Sequence, residues 1–260
     1  MAVRETAGVK HAPCPPPRRI GNHPVVIGHR GAPEVAPENT LASFVAAWSA
    51  GAEWVEADVQ PTADGVPVLL HDDTVDRTTD DAGTVRDLPW SRVRDLTLAG
   101  RPGAVPRLTS LLAQLTGGRR LLLELLLEIK GPHSTAELRR LLAELAGSGV
   151  DDRVFLQSFE RQVLADLRDL VPTRPLGLLV DTLGAADLAA ADALHVAAVN
   201  PGVAAVRWHP SVVAELRKRG RSVAVWTAND PDEWSALADT GVDAVITDRP
   251  GALVQRWSTT

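Results

Sequence analysis

Glu56 and Asp58 lie two residues apart in the run WVEADV, and Glu128 and Lys130 repeat that spacing in LEIK. Both runs are apolar enough to be strands, and residues i and i+2 of a strand face the same way. Each pair therefore presents its ionisable groups on one face. His29-Arg30-Gly31 ends an earlier apolar run, and His71-Asp72 ends the run VPVLL. Buried acids are costly unless paired or bound to a cation. Three carboxylates on adjacent strands make an oxygen-rich site suited to Mg²⁺ or Ca²⁺, with waters or substrate oxygens filling the shell. Zinc suits it less, because Cys14 is the only cysteine. Each motif alone has a plainer reading: a packed histidine at a strand end, a salt-bridged barrel layer, or a Glu128–Lys130 ion pair. A site is favoured because all of them fall at the same end of neighbouring strands.

The elements that must hold these residues become regular from Val25 onward. Short leucine-rich or β-branched runs alternate with longer amphipathic segments. The pattern predicts strands at residues 25–29, 54–59, 121–129, 154–158, 176–180, 196–200, 222–227 and 243–247. Helices are predicted near 38–51, 107–116, 134–147, 160–170, 184–194, 209–219 and 231–240. Such alternation implies right-handed βαβ units and a parallel sheet. Eight strands in about 225 residues fit a closed (β/α)₈ TIM barrel better than an open sheet. In a barrel, chemistry sits at the C-terminal strand ends, where the residues above fall.

Residues 66–72 follow Val59 too closely for a crossover and must return as an antiparallel hairpin through Asp64-Gly65. A two-residue turn there sets His71 opposite Asp58. A three-residue loop with left-handed Gly65 sets Ala57 opposite His71 and turns the imidazole away, unless a second bulge corrects the parity. We expect an arrangement that keeps His71 on the Glu56/Asp58 face. Residues 73–106 carry few core signals and read as an insertion at the barrel mouth, within a barrel spanning 25–252. Residues 1–24, with Pro15-Pro16-Pro17, read as a flexible Pro-rich tail. In LLLELLLE (121–128) a four-residue unit occurs twice, so parity points Glu124 into the barrel two layers below Glu128. Either it meets a cation such as an arginine, or a bulge turns it outward.

The 260-residue chain is 45% hydrophobic and 23% charged, ordinary globular composition. Its net charge of −6 argues against a nucleic-acid surface, which needs clustered Lys and Arg. No apolar run approaches the ~20 residues of an integral membrane segment. The first residues lack the apolar stretch of a secretory signal, so a cytoplasmic protein is expected.

Several blocks, in order from Val25 to Pro250, carry a family resemblance. They are HRGAPEVAPENTLASF (29–44), EADVQPTADGVPVLLHDDTVDRTTDDAGTV (56–85), VPRLTSLL (105–112), LEIKG (127–131), LQSF (156–159), VWTAND (225–230) and GVDAVITDRP (241–250). The chain resembles the glycerophosphodiester phosphodiesterase family, whose barrel is of the phosphatidylinositol-phospholipase-C type. The resemblance implies metal-dependent hydrolysis of a small glycerophosphodiester to glycerol 3-phosphate and an alcohol. It implies His29 and His71 as the acid–base pair and Arg30 and Lys130 as phosphate ligands. It implies Glu56, Asp58 and Glu128 as ligands of one divalent cation, Mg²⁺ or Ca²⁺.

Gln157 and Phe159, at a strand end, are candidates for a substrate hydrogen bond and a pocket wall. Trp226 is a candidate surface for stacking on glycerol, with packing as the alternative. Pro37-Glu38-Asn39-Thr40 reads as a helix start. Two other functions fit the same motifs. A lysophospholipase-D-like phosphodiesterase would need an apolar rim, and 73–106 has no long apolar stretch. A non-catalytic phosphodiester-binding barrel would not need the intact set of ionisable residues.

Overall fold

The computed structural model describes residues 14–19, 21, 23–100, 103–116 and 124–259. Eight parallel strands form the barrel: β1 (Val25–Gly28), β2 (Trp54–Pro61), β4 (Glu124–Ile129), β5 (Val154–Ser158), β6 (Leu176–Val180), β7 (Ala198–Pro201), β8 (Ala224–Val225) and β9 (Ala244–Thr247). The short β3 (Pro67–Leu69) pairs antiparallel with β2. The sheet runs β7-β6-β5-β4-β2-β1-β9-β8. Parallel bridges between Ala198 and Ser222 and between Gly202 and Trp226 join β7 to the β8 segment and close the ring. The expected TIM barrel is thus the observed fold. No described helix is long and apolar enough to cross a membrane.

Side-chain alternation divides the core. Val55, Ala57 and Val59 of β2 point outward into the main core beneath the helices. Trp54 joins Ile27, Leu126, Phe155, Ala224 and Ile246 in a second cluster that fills the lower barrel. Phe155 is 0% exposed there, and truncating it to alanine would cost roughly 3–5 kcal/mol. Glu56 and Asp58 continue the inward face of Trp54, and Glu128 that of Leu126, so the acids rise above this apolar floor.

Most elements fall where the periodicity puts them. The helix expected near 209–219 is Ser211–Lys218, and a short helix that was not expected, Val203–Trp208, precedes it across His209-Pro210. A further helix, Pro250–Ser258, follows β9. Of the segment expected as a flexible tail, Cys14 is 2% exposed within the lower-barrel cluster. Pro17 accepts a hydrogen bond from Ser222 Oγ, and Arg18 and Arg19 bond to the carbonyls of Gly220 and Ala238. Residues 1–13 lie outside the described residues. Glu124, half-buried at the start of β4, meets Arg153 Nε at 3.7 Å and Cys14 Sγ at 3.9 Å. Of its two alternatives, the cation holds. The other leucines of the repeated unit, 121–123, lie outside the described residues.

The hairpin takes the longer of its two turn lengths and still brings His71 to the mouth. Val59 pairs with Leu69, Gln60 with Val68 and Pro61 with Pro67. Ala63-Asp64-Gly65 is therefore a three-residue loop, with Gly65 left-handed at φ 70°. Thr62 decides this: its Oγ1 accepts from Val66 N at 3.0 Å and donates to Asp64 Oδ1 at 2.6 Å. That register opposes His71 to Ala57. The chain restores the parity by leaving the strand after Leu69. Gln60 Nε2 faces the carbonyls of Leu70, His71 and Asp72 at 2.9, 3.1 and 2.7 Å and holds a bend there. The hairpin's outer face, with Val66, Val68 and Leu70, packs with Val75, Val85, Val93, Leu96 and Val105. The insertion has its own small core, which its short, scattered apolar residues concealed.

Candidate active site

Asp58 and Glu128 stand side by side in the β2–β4 register, with Glu56 one inward position below. One carboxylate oxygen from each of the three lies within 4.8 Å of the others. They are 2%, 0% and 7% exposed for Glu56, Asp58 and Glu128. Burial, then the charges of Asp58 and Glu128, raises Glu56 well above the usual carboxylate range. Burial and then Asp58 push Glu128 up to about 7, against the pull of Lys130. Glu56 Oε1 and Asp58 Oδ1 are buried without a hydrogen-bond partner. Orphaned buried acceptors cost free energy. A hard divalent cation matches this all-oxygen set and would satisfy both.

Two cations border the triad. Lys130 Nζ lies 3.0 Å from Glu128 Oε1 and 3.9 Å from Asp58 Oδ1. These acids raise its pKa although burial works against it. Arg30, in the turn after β1, takes the left-handed conformation at φ 53°, unusual for a bulky residue. Its backbone N then donates to Glu56 Oε2 at 3.0 Å, and its Nε lies 3.2 Å from Asp58 Oδ2. Its Nη1 donates to Glu38 Oε1 at 2.9 Å.

The PENT segment is more than a helix start. The helix begins at Leu41, capped by Thr40, whose side chain accepts from Ser43 N. Asn39, left-handed at φ 55°, turns back toward β2. Its Nδ2 donates to Asp58 Oδ2 at 2.8 Å and its Oδ1 accepts from Asp58 N at 3.1 Å.

Each histidine is held at Nδ1 by a carboxylate. His29 Nδ1 lies 2.6 Å from Asp248 Oδ1, and Asp248 Oδ2 accepts from Asn229 Nδ2 at 2.6 Å. Burial works against it, but these bonds hold Asp248 below its ordinary pKa. His71 Nδ1 lies 2.7 Å from Asp72 Oδ1. Burial lowers the His71 pKa, with Asp58 and Asp72 opposing. Fixing Nδ1 leaves Nε2 as the nitrogen available for proton exchange.

These groups face one cavity of about 270 Å³. His29, Arg30, Glu56, His71, Glu128 and Lys130 line one side, and Gln157, Phe159, Leu179, Asp181, Trp226 and Ile246 complete it. Asp58 is buried behind the wall. Gln157 Oε1 accepts from Asn200 Nδ2 at 2.7 Å, and Trp226 Nε1 donates to Asn200 O at 2.8 Å. The Phe159 and Trp226 rings meet edge to face at 5.3 Å. A larger groove of about 620 Å³ lies between helices Val203–Trp208 and Pro231–Thr240. It shares no lining residue with the mouth and gathers no histidine, so we assign the chemistry to the smaller cavity.

Comparison with known proteins decides the family. The sequence profile of the glycerophosphoryl diester phosphodiesterase family matches residues 29–252. The chain belongs to that family. A glycerophosphodiester phosphodiesterase from Caldanaerobacter subterraneus is 30% identical over 244 residues, covering 88% of this chain and 96% of its own. Among solved structures, a Silicibacter pomeroyi protein is 28% identical with a TM-score of 0.83, covering 92% and 94% of the two chains. An Oleispira antarctica phosphodiesterase in complex with its product sn-glycerol-3-phosphate is 26% identical, with a TM-score of 0.76 and coverage of 91% and 97%. The enzyme class expected from the motifs, a phosphodiesterase for glycerophosphodiesters, is that of the family.

In this family member the expected residues Glu56, Asp58, Glu128, His29, His71, Arg30, Lys130, Gln157 and Trp226 all gather at one mouth. Sequence reasoning missed the residues that hold them: Glu38, Asn39, Gln60, Asp72, Asn229 and Asp248. Asp248 had a usable signal, since it directly follows a barrel strand at its C-terminal end.

Proposed function

We propose that the chain hydrolyses glycerophosphodiesters to glycerol 3-phosphate and an alcohol with one divalent cation, Mg²⁺ or Ca²⁺, held by Glu56, Asp58 and Glu128. The observation that carries the reading is the buried triad with orphaned oxygens beside two carboxylate-anchored histidines. The product complex of the Oleispira relative supports the substrate class. When bound, the cation supplies charge neutralisation at the phosphoryl oxygens. Arg30 and Lys130 bind the same anionic oxygens by charge-assisted hydrogen bonds. One histidine accepts a proton at Nε2 from the attacking hydroxyl or water as its oxygen bonds to phosphorus. The other gives a proton to the alkoxide as the bond from phosphorus to the leaving oxygen breaks. Asp248 and Asp72 keep both rings in the tautomer this exchange needs. Gln157 bonds a substrate hydroxyl, and Phe159 with Trp226 forms the wall against which the organic part rests.

Release of glycerol 3-phosphate from glycerophosphocholine, with EDTA and with Mg²⁺ or Ca²⁺ added back, tests this. EDTA should abolish release and one of the two ions should restore it. Full activity in EDTA would remove the metal. Choline release only from lysophosphatidylcholine, with lysophosphatidic acid as the other product, would move the substrate class to lysophospholipids.

A further inference from the structure

Arg77 lies in the insertion and lines no part of the catalytic cavity, and the reaction above gives it no task. Its guanidinium nevertheless makes four charged hydrogen bonds. Nε and Nη2 donate to Asp72 Oδ2 and Oδ1 at 2.5 and 3.0 Å. Nη1 and Nη2 donate to Glu38 Oε2 and Oε1 at 2.9 and 2.7 Å. Both carboxylates are shared with the site. Asp72 Oδ1 also lies 2.7 Å from His71 Nδ1, and Glu38 Oε1 also accepts from Arg30 Nη1 at 2.9 Å. We propose that Arg77 is a positioning residue that fixes His71 and Arg30 relative to each other by bridging Asp72 and Glu38. The inference rests on the roles given above to His71 and Arg30.

The division of labour around His71 supports this. Gln60 pins the backbone carbonyls of residues 70–72 from inside the sheet. Rotation of the imidazole is left to Asp72, and the orientation of Asp72 is left to Arg77. Arg77 is 48% exposed, and an ion pair so open to water adds little to stability. What the bridge changes is geometry. A planar guanidinium offers two edges, each able to meet a carboxylate fork to fork. A lysine ammonium is a point charge and cannot orient both at once. The two arms should also separate kinetically. The Asp72 arm governs proton transfer and therefore kcat. The Glu38 arm governs the phosphate-binding arginine and therefore KM.

The test is steady-state kinetics on the metal-loaded full chain. Arg77→Ala should lower kcat/KM by about 10–100-fold, as loss of an outer-shell orienting partner does. Arg77→Lys should recover little, although it restores the charge. Millimolar guanidinium should restore activity to Arg77→Ala and not to the parent, since the vacated site opens to solvent. A variant failing through a loosened fold would gain nothing, because guanidinium at that concentration leaves stability essentially unchanged and refills no site in it. Asp72→Asn should act on kcat and Glu38→Gln on KM, and each should matter less in the Arg77→Ala background. Arg92→Ala breaks the Arg92–Asp81 pair in the same insertion and should leave both constants unchanged. Parent-like kinetics in Arg77→Ala, with His71→Ala inactive, would overturn the bridge. So would full rescue by lysine, or failure of guanidinium to help. A fully active His71→Ala would instead overturn the reading on which the bridge rests.

Discussion

Replacing Asp248 with asparagine removes one charge behind His29 and almost no volume. The consequence follows from hydrogen-bond bookkeeping around Asn229. Asn229 Oδ1 accepts from Asp248 N at 2.9 Å and from Thr247 Oγ1 at 3.0 Å, so its Nδ2 is committed as a donor toward residue 248. An asparagine at 248 must answer with its oxygen there, and its amide NH₂ then faces His29 Nδ1. The ring is forced to carry its proton on Nε2, the tautomer that cannot act as base from that nitrogen. Where an aspartate–histidine pair serves a hydrolase, this change costs roughly 10⁴ in kcat. Here the Asp248 side chain is 34% exposed and solvent softens the penalty, so we expect a loss of about 10²–10⁴, or roughly 3–5 kcal/mol of barrier. The assay is kcat for glycerol 3-phosphate release at saturating metal, with the melting temperature as a check on folding. The double variant Asp248→Asn/Asn229→Ala frees the carboxamide to turn and should be more active than the single variant. An Asp248→Asn enzyme within about threefold of the parent, or a double variant no better than the single, would refute the tautomer argument.

Other outcomes are equally specific. His29→Ala and His71→Ala should each cut kcat by about 10²–10⁴, and a p-nitrophenyl diester should rescue only the variant lacking the acid. Glu56→Gln removes a full charge from the metal site and should weaken cation binding at least about tenfold by calorimetry. In EDTA, Glu128 holds its proton up to about 7 in the fold but only to its ordinary 4.5 when unfolded, so the native state binds more protons in that window. Stability should therefore fall as pH rises from 4.5 toward 7, and the cation's stabilising shift in melting temperature should grow over the same range. Asn39→Ala leaves the buried Asp58 without two hydrogen bonds and should destabilise the protein by about 1–3 kcal/mol in urea unfolding.

The barrel and the acid set were legible because both rest on local periodicity. Alternation within WVEADV and LLLEIK fixes which side chains face inward, and strand ends fix which of them reach the mouth. The loop at Asp64-Gly65 was not legible at the same level. Asp-Gly suits either turn length, and a hydroxyl at Thr62 selects the longer one. His71 reaches the site because Gln60, eleven residues earlier, gathers three carbonyls, a contact no periodicity encodes. The contacts that His29 and Asp58 make with their partners were hidden for the same reason. Asp248 meets His29 across 219 residues, and Asn39 meets Asp58 from what composition presents as a helix start.

The packed segment beneath the barrel gives the chain a built-in clock. Cys14 is its only cysteine, seated 2% exposed in the lower-barrel cluster at the end opposite the catalytic mouth. Burial, then Glu124, pushes the thiol far above its ordinary pKa, so the reactive thiolate is scarce while the segment stays in place. A thiol-selective reagent thus has one target and must wait for residues 14–19 to leave their seat. Its labelling rate times the opening of the barrel's underside without any engineered probe. Set beside the decay of activity, it tells whether the protein comes apart from its apolar floor or from its ionised rim.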